Sequence, residues 1–163
     1  KETAEKEKFR IYTHFNSERN ELFFAQKIVL VEGESDKILW TTLCEQRWNI
    51  NLNKEGVSII ECGGKGGVNY FVGVCHLMGL PNLFAIWDQD DENDYNPKKD
   101  WLGNLNNKGL EIPNNLEKFL NLPDAKNSQK VKNAYEWAVN KSNAIPSEFE
   151  VVKNFLQDIK TDE

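Results

Sequence analysis

Three short apolar runs constrain this chain more than any other feature: Lys27-Ile28-Val29-Leu30-Val31, Val57-Ser58-Ile59-Ile60-Glu61-Cys62 and Leu83-Phe84-Ala85-Ile86-Trp87. The first and third are apolar almost throughout and rich in β-branched or aromatic residues, as strands buried on both faces are. A turn signal follows each: Glu32-Gly33, then Gly63-Gly64-Lys65-Gly66-Gly67, then Asp88-Gln89-Asp90. Between them the spacing is helical. Ile38, Leu39 and Leu43 recur on one face from Ser35 to about Trp48, with Ser35 as N-cap, Asp36 in the first turn, and Lys37 and Glu45 turned outward. Tyr70, Phe71, Val74, Leu77 and Met78 form a second stripe, closed by Gly79, a natural C′ residue. Strand, helix, strand, helix, strand predicts right-handed crossovers and an α/β fold with a parallel sheet flanked by helices.

The pattern changes past Asp94. Residues 93–115 are rich in Asn, Lys, Gly and Pro and read as a long loop with one short hairpin, followed by helices over 116–120, 131–141 and 147–160. Ser147 and Glu150 have the spacing of a capping box. Phe23 and Phe24 are expected to pack a short helix against the sheet ahead of the first strand, and Trp40 and Trp87 to sit in the core. At 163 residues, 39% of them hydrophobic, the chain closes one sizeable core. The expected division is a lead-in over 1–22 and one domain over 23–160, with its α/β core at 27–95 and a helical part at 115–160.

No run of about 18 apolar residues suits a membrane span, and no secretory leader is visible, so a soluble cytoplasmic protein is expected. Cys44, Cys62 and Cys75 lie inside apolar segments without paired metal spacing, which predicts reduced, buried thiols. The start at Lys1-Glu2-Thr3, without Met, suggests a segment of a longer protein.

A net charge of −6 argues against a basic nucleic-acid face, yet its distribution matters more. Eight carboxylates cluster in two segments, Glu32, Glu34 and Asp36, then Asp88, Asp90, Asp91, Glu92 and Asp94; setting them aside turns −6 into +2. In open parallel sheets, ligands bind beyond the carboxyl ends of the strands. Glu32 ends the first strand and Asp88 and Asp90 follow the third, so neighbouring strands would aim three acids into one crevice. Acids so placed repel unless a cation lies between them, and oxygen ligands without His or Cys select Mg²⁺ or Mn²⁺ over Zn²⁺. The competing reading is a set of solvated turn acids. Asp36 is either a further ligand or a first-turn acid meeting the helix dipole. Asp91 and Glu92 could bind a second ion, whereas Asp91 and Asp94 fit a solvated loop better. The glycine-rich turn is not a P-loop, because no Ser or Thr follows its Lys. Gly64, Lys65 and Gly66 could contact a phosphate through backbone N–H groups and the Lys65 ammonium; the alternative is a plain tight turn. His14 and His76 have no metal-ligand partner at usable spacing.

Phe24-Ala25-Gln26 leading into the first strand, Glu32-Gly33-Glu34-Ser35-Asp36, Cys62-Gly63-Gly64-Lys65-Gly66 and Asp88-Gln89-Asp90 together resemble a TOPRIM domain, a Rossmann-like parallel sheet flanked by helices. More narrowly they resemble the TOPRIM domain of OLD-family (overcoming lysogenization defect) nucleases, with additional C-terminal helices. The resemblance covers the first two-thirds of the chain. It implies an endonuclease acting on DNA, with RNA not excluded, that uses Mg²⁺ or Mn²⁺ in a two-ion arrangement. It also implies an N-terminal ABC-type ATPase domain elsewhere in the full-length protein, no membrane partner, and room for a homo-oligomer formed through the missing part. By resemblance Glu32 is the catalytic acid and a metal ligand, and Asp88 and Asp90 are catalytic and hold metal. Asp36 matches the acid four residues after the Glu, and Glu92 falls in the acidic run. Leu116-Glu117 resembles a later Leu-Glu, making Glu117 a ligand, and Lys130 resembles a basic residue that stabilises the scissile phosphate. The alternatives are a TOPRIM module of a primase, topoisomerase or RNA-maturation nuclease, or an inactive module used for phosphate binding or assembly. A receiver-like module fits the Glu-Gly and Asp-X-Asp pattern poorly.

Overall fold

The computed structural model describes residues 24–80, 82–89 and 108–157. Four strands, β1 (Lys27–Val31), β2 (Val57–Glu61), β3 (Leu83–Asp88) and β4 (Gly109–Ile112), pair in the order β2-β1-β3-β4. Every pairing is parallel. The helices are α1 (Glu34–Thr42), continued by a π-helical turn (Leu43–Arg47), α2 (Lys65–Leu77), α3 (Leu116–Phe119), α4 (Asn127–Val139) and α5 (Glu150–Gln157), which a 3₁₀ turn (Ser147–Phe149) precedes.

β1 explains the layering, because its side chains alternate between two separate apolar layers. Ile28 and Leu30 join Ile60, Val68, Phe71, Val72, Cys75, Leu83 and Ala85 under α2. Val29 and Val31 join Leu39, Trp40, Leu43, Ile59, Phe84 and Ile86 under α1, and the C-terminal helices add Ala134, Ala138, Phe149, Val152 and Leu156 to that layer. Two cations lock the C-terminal helices on. The Arg47 guanidinium donates to the carbonyls of Ala138 (3.2 Å), Asn140 (3.0 Å) and Asn143 (2.8 Å), collecting the end of α4 onto the π turn. The Lys27 ammonium donates to the carbonyls of Phe155 (3.0 Å) and Leu156 (2.7 Å), closing the last turn of α5 against the start of β1. Both sites also oppose a cation to the negative end of a helix dipole.

The glycine-rich segment is a tight strand-to-helix turn. Gly64 sits at φ 105°, a backbone conformation that side chains avoid. A Cβ at Gly67 would lie 1.8 Å from the Cys62 carbonyl oxygen, so the first turn of α2 can approach β2 only with glycine there.

Several expectations need correction. The loop over 93–115 contains a fourth parallel strand, β4, where a hairpin was expected; its four residues are too few for periodicity to reveal. The N-cap of α1 is Gly33, not Ser35, because Asp36 reaches back to the Gly33 N–H (3.1 Å) and starts the helix earlier. The buried face of α2 carries Val68, Phe71, Val72 and Cys75, whereas Leu77 is 78% exposed and Met78 44%. Gly79 does take the left-handed conformation after that helix, at φ 67°. Phe24 is 88% exposed and packs nothing against the sheet; Phe23 lies outside the described residues. Trp40 is buried and Trp87 partly so. α4 begins at Asn127, earlier than expected. Ser147 donates to Glu148 (3.3 Å) instead of forming a capping box with Glu150. All three cysteines are free and buried. Burial pushes the Cys44 thiol up to about 12, the charge of Glu45 adding to it, and the Cys75 thiol up to about 11, so both stay protonated and inert. No helix among the described residues is long and apolar enough to cross a membrane.

Candidate active site

Adjacent parallel strands deliver their carboxyl ends side by side, and β1 and β3 are neighbours. Glu32 follows the last residue of β1, and Asp88 is the last residue of β3. The two are tied directly: the Asp88 N–H donates to Glu32 Oε1 at 3.0 Å, fixing the orientation of that carboxylate. Asp88 is itself only 8% exposed. Its Oδ1 accepts the Leu116 N–H at 3.1 Å, so the acid at the end of β3 also satisfies an orphan donor in the first turn of α3.

Asp36 projects from the first turn of α1 into the same region. Burial is the main force raising its carboxyl from an ordinary 3.8 to about 6; the charge of Glu32 adds to the rise, while the Gly33 N–H and the Lys130 ammonium oppose it. Glu117, the second residue of α3, and Lys130, in the first turns of α4, pair at 2.6 Å. These five side chains border one cavity of about 390 Å³, open to solvent. Its remaining wall is Ser35, Asn115 and backbone at Gly33, Gly63 and Gly64.

The structure therefore brings Glu32, Asp36, Asp88, Glu117 and Lys130 together. Asp90 and Glu92 lie outside the described residues, as do Asp91, Asp94 and His14. Of the glycine-rich turn, Gly64 borders the cavity, and Lys65 and Gly66 do not. The Gly64 N–H donates to the Glu32 carbonyl (2.8 Å), so it serves the turn and is not turned to an anion. His76 is exposed on α2. Two wall residues show roles that the sequence does not assign them. Asn115 caps α3 by accepting the Lys118 N–H (2.9 Å), and an Asn directly before an apolar turn is a legible N-cap signal. Ser35, expected as a cap, is buried and faces the cavity.

The donor set fits a hard divalent cation, because among the described residues four carboxylates and no His or Cys border the cavity, and the charge of Glu32 already raises the cost of ionising Asp36. Among the described residues no three such side chains converge closely enough to hold an ion as they stand. Glu117 is turned to Lys130, and the Asp-X-Asp continues into Asp90 beyond the described residues.

The raised Asp36 carboxyl has a measurable cost. Its folded value exceeds its unfolded one, so the penalty is absent below pH 3.8, grows as pH rises towards 6, and is complete above that. At neutral pH it amounts to about 3 kcal/mol at most, since a tenfold change in proton affinity corresponds to about 1.4 kcal/mol. Asp36→Asn, which can still accept the Gly33 N–H, is expected to stabilise the ion-free protein at pH 7.5 by about 1–3 kcal/mol. Urea unfolding in EDTA should show that gain vanishing by pH 4; an equal gain at both pH values would mean that the charge is not its cause.

A parallel sheet in this order, with Glu-Gly closing the inner strand β1 and an Asp-X-Asp beginning at the end of its neighbour β3, is the arrangement that the resemblance to a TOPRIM domain implies. Residues 23–90 match the family described as "Overcoming lysogenization defect protein-like, TOPRIM domain". The OLD nuclease of Thermus scotoductus is 31% identical over 91 residues, which cover 53% of this chain and 17% of that protein. Among solved structures, the C-terminal region of the Burkholderia pseudomallei OLD protein superimposes with a TM-score of 0.47 at 16% identity, covering 82% of this chain and 86% of that one. The C-terminal region of the Xanthomonas campestris pv. campestris OLD protein gives 0.47 at 16% identity, over 83% and 80%.

Proposed function

We propose that the chain is the catalytic TOPRIM part of a metal-dependent endonuclease that hydrolyses DNA phosphodiesters, with an ABC-type ATPase domain in the rest of the protein. The observation that carries this reading is the hydrogen-bonded pair Glu32 and Asp88 at adjacent strand ends, with Asp36, Glu117 and Lys130 closing the same cavity. Further support comes from the OLD-like TOPRIM segment and from a relative named as a nuclease.

The proposed ligands are Glu32, Asp36, Asp88, Asp90, Glu92 and Glu117. One or two bound Mg²⁺ or Mn²⁺ ions would supply an activated water and charge neutralisation at the departing oxygen. The protein's own part is orientation and charge. The Asp88 N–H holds Glu32, the Leu116 N–H holds Asp88, and the Gly33 N–H holds Asp36, so three carboxylates are positioned by backbone before any ligand arrives. Lys130 is the one cation on the cavity wall among the described residues and is suited to the charge of the phosphate. Hydrolysis joins the water oxygen to phosphorus and breaks one P–O bond to sugar, the water proton ending on the released oxygen.

Incubating the protein with supercoiled DNA, linear DNA and RNA in Mg²⁺, Mn²⁺ or EDTA tests this. Cleavage of DNA is expected with either ion, stronger with Mn²⁺, which tolerates imperfect octahedral geometry, and absent in EDTA. Millimolar Ca²⁺ should raise the melting temperature without cleavage. A melting temperature that no divalent ion moves, together with intact DNA, would remove the proposal; relaxation of supercoils without cutting would replace it with a topoisomerase reading.

A further inference from the structure

Lys130 occupies an unusual position for a residue whose proposed partner is a phosphate. Its ammonium already has a carboxylate, Glu117, at 2.6 Å. The cavity around that pair is bordered by Glu32, Asp36 and Asp88 as well, so among the described residues one cation faces four acids. The influence of Lys130 extends to Asp36, whose carboxyl it pulls down against burial. In the ion-free protein this ammonium is the cavity's own countercharge.

The two partners differ in freedom. Glu117 is 17% exposed, and the residue before it is fastened by the Asp88 carboxylate. Lys130 is 41% exposed, on a long stem carried by a helix whose far end is pinned by Arg47. An exchange of partners therefore needs only rotation of the lysine side chain, with no movement of α3 or α4.

We propose that Lys130 is a built-in competitor of the divalent cation: an arriving ion takes Glu117 from it and thereby releases the ammonium towards the cavity mouth. The inference rests on the reading of the cavity as a metal site. Two consequences follow from the exchange. Ion affinity is lower than the carboxylates alone would give, because each ion must displace a charge already bound. The basic group also becomes available to an incoming phosphate only after the site has filled, so nucleic acid meets the ammonium in the ion-bound protein and the Glu117 pair in the ion-free one.

Ca²⁺ serves as the probe, since its binding can be followed without turnover. In titration calorimetry Lys130→Met should bind Ca²⁺ about threefold to tenfold more tightly than the parent, although it cuts DNA less well. In the parent, Ca²⁺ should raise the rate at which Lys130 is acylated by an amine-reactive ester several-fold, read by peptide mass spectrometry against Lys132 as the internal standard. This second measurement involves no substitution and so stands even if the variant misfolds. Equal or weaker Ca²⁺ binding by a folded Lys130→Met, or Lys130 acylation that Ca²⁺ leaves unchanged or slows, overturns the exchange while leaving the metal site standing. Absence of Ca²⁺ binding in both proteins overturns the metal site and the exchange together.

Discussion

Glu32→Ala is expected to lower DNA cleavage by about a thousandfold or more while the protein stays folded. The substitution removes the carboxylate that follows β1, whose orientation is fixed by the Asp88 N–H. It also relieves the charge that raises Asp36, so part of the cost of losing a hydrogen bond is returned as reduced repulsion. Glu32→Gln keeps an acceptor for the Asp88 N–H and should be nearly as inactive, which separates the negative charge from the hydrogen bond. Circular dichroism and melting temperature must accompany the assay. Cleavage at the parent rate by either variant would mean that the site lies elsewhere. Asp88→Ala is a less clean probe, because it strands the Leu116 N–H and loosens α3 along with the chemistry.

Phe149→Ala is expected to cost about 3–5 kcal/mol, enough to unfold a marginal domain. Phe149 is fully buried, with its ring 4.4 Å from Trp40 on α1 and 5.9 Å from Phe119 on α3. It joins the first crossover helix to the C-terminal helices, so truncating it opens a cavity that neither side can fill. The check is urea unfolding followed by two probes, tryptophan fluorescence and far-ultraviolet dichroism. A loss below about 1 kcal/mol, or a C-terminal part that melts separately from the sheet, would show that the helices after residue 115 are an appendage and not one side of the core.

The central sheet was legible because buried parallel strands announce themselves: 28–31 and 83–87 are apolar without a break, and the crossover rule then sets their direction. Once the strands were placed, so were Glu32 and Asp88, since a residue that ends a strand has its position fixed by that strand. β4 was not legible, as Gly109-Leu110-Glu111-Ile112 is too short to show a period and gains its strand character from pairing with β3. The buried face of α2 is hidden from the sequence for a different reason. Val68, Phe71, Val72 and Cys75 compete with Val74, Leu77 and Met78 on a helix that is apolar on more than one side, and the decision belongs to Ile28, Leu30 and Ile60 on the sheet beneath. Glu117 and Lys130 were matched only through resemblance. No local pattern states that the first turns of α3 and α4 return to the ends of β1 and β3, because that placement depends on how Asp88 and Arg47 hold the two helices.

The strand order also dictates how the chain can be assembled over time. β1 emerges before the other three strands during synthesis yet belongs in the middle of the sheet, with Val29 beside Ile59 on one side and Phe84 on the other. Each of those pairings must wait for a whole crossover to be made, and the outer partner of β3 comes later still. Among the described residues every strand pairing is parallel and no hairpin is present to nucleate the sheet, so loop-closure entropy is spent before those strand contacts repay it. For that interval the nascent chain displays Ile28 to Val31 with unpaired backbone on both edges, and it is then that the domain depends most on shielding from other chains.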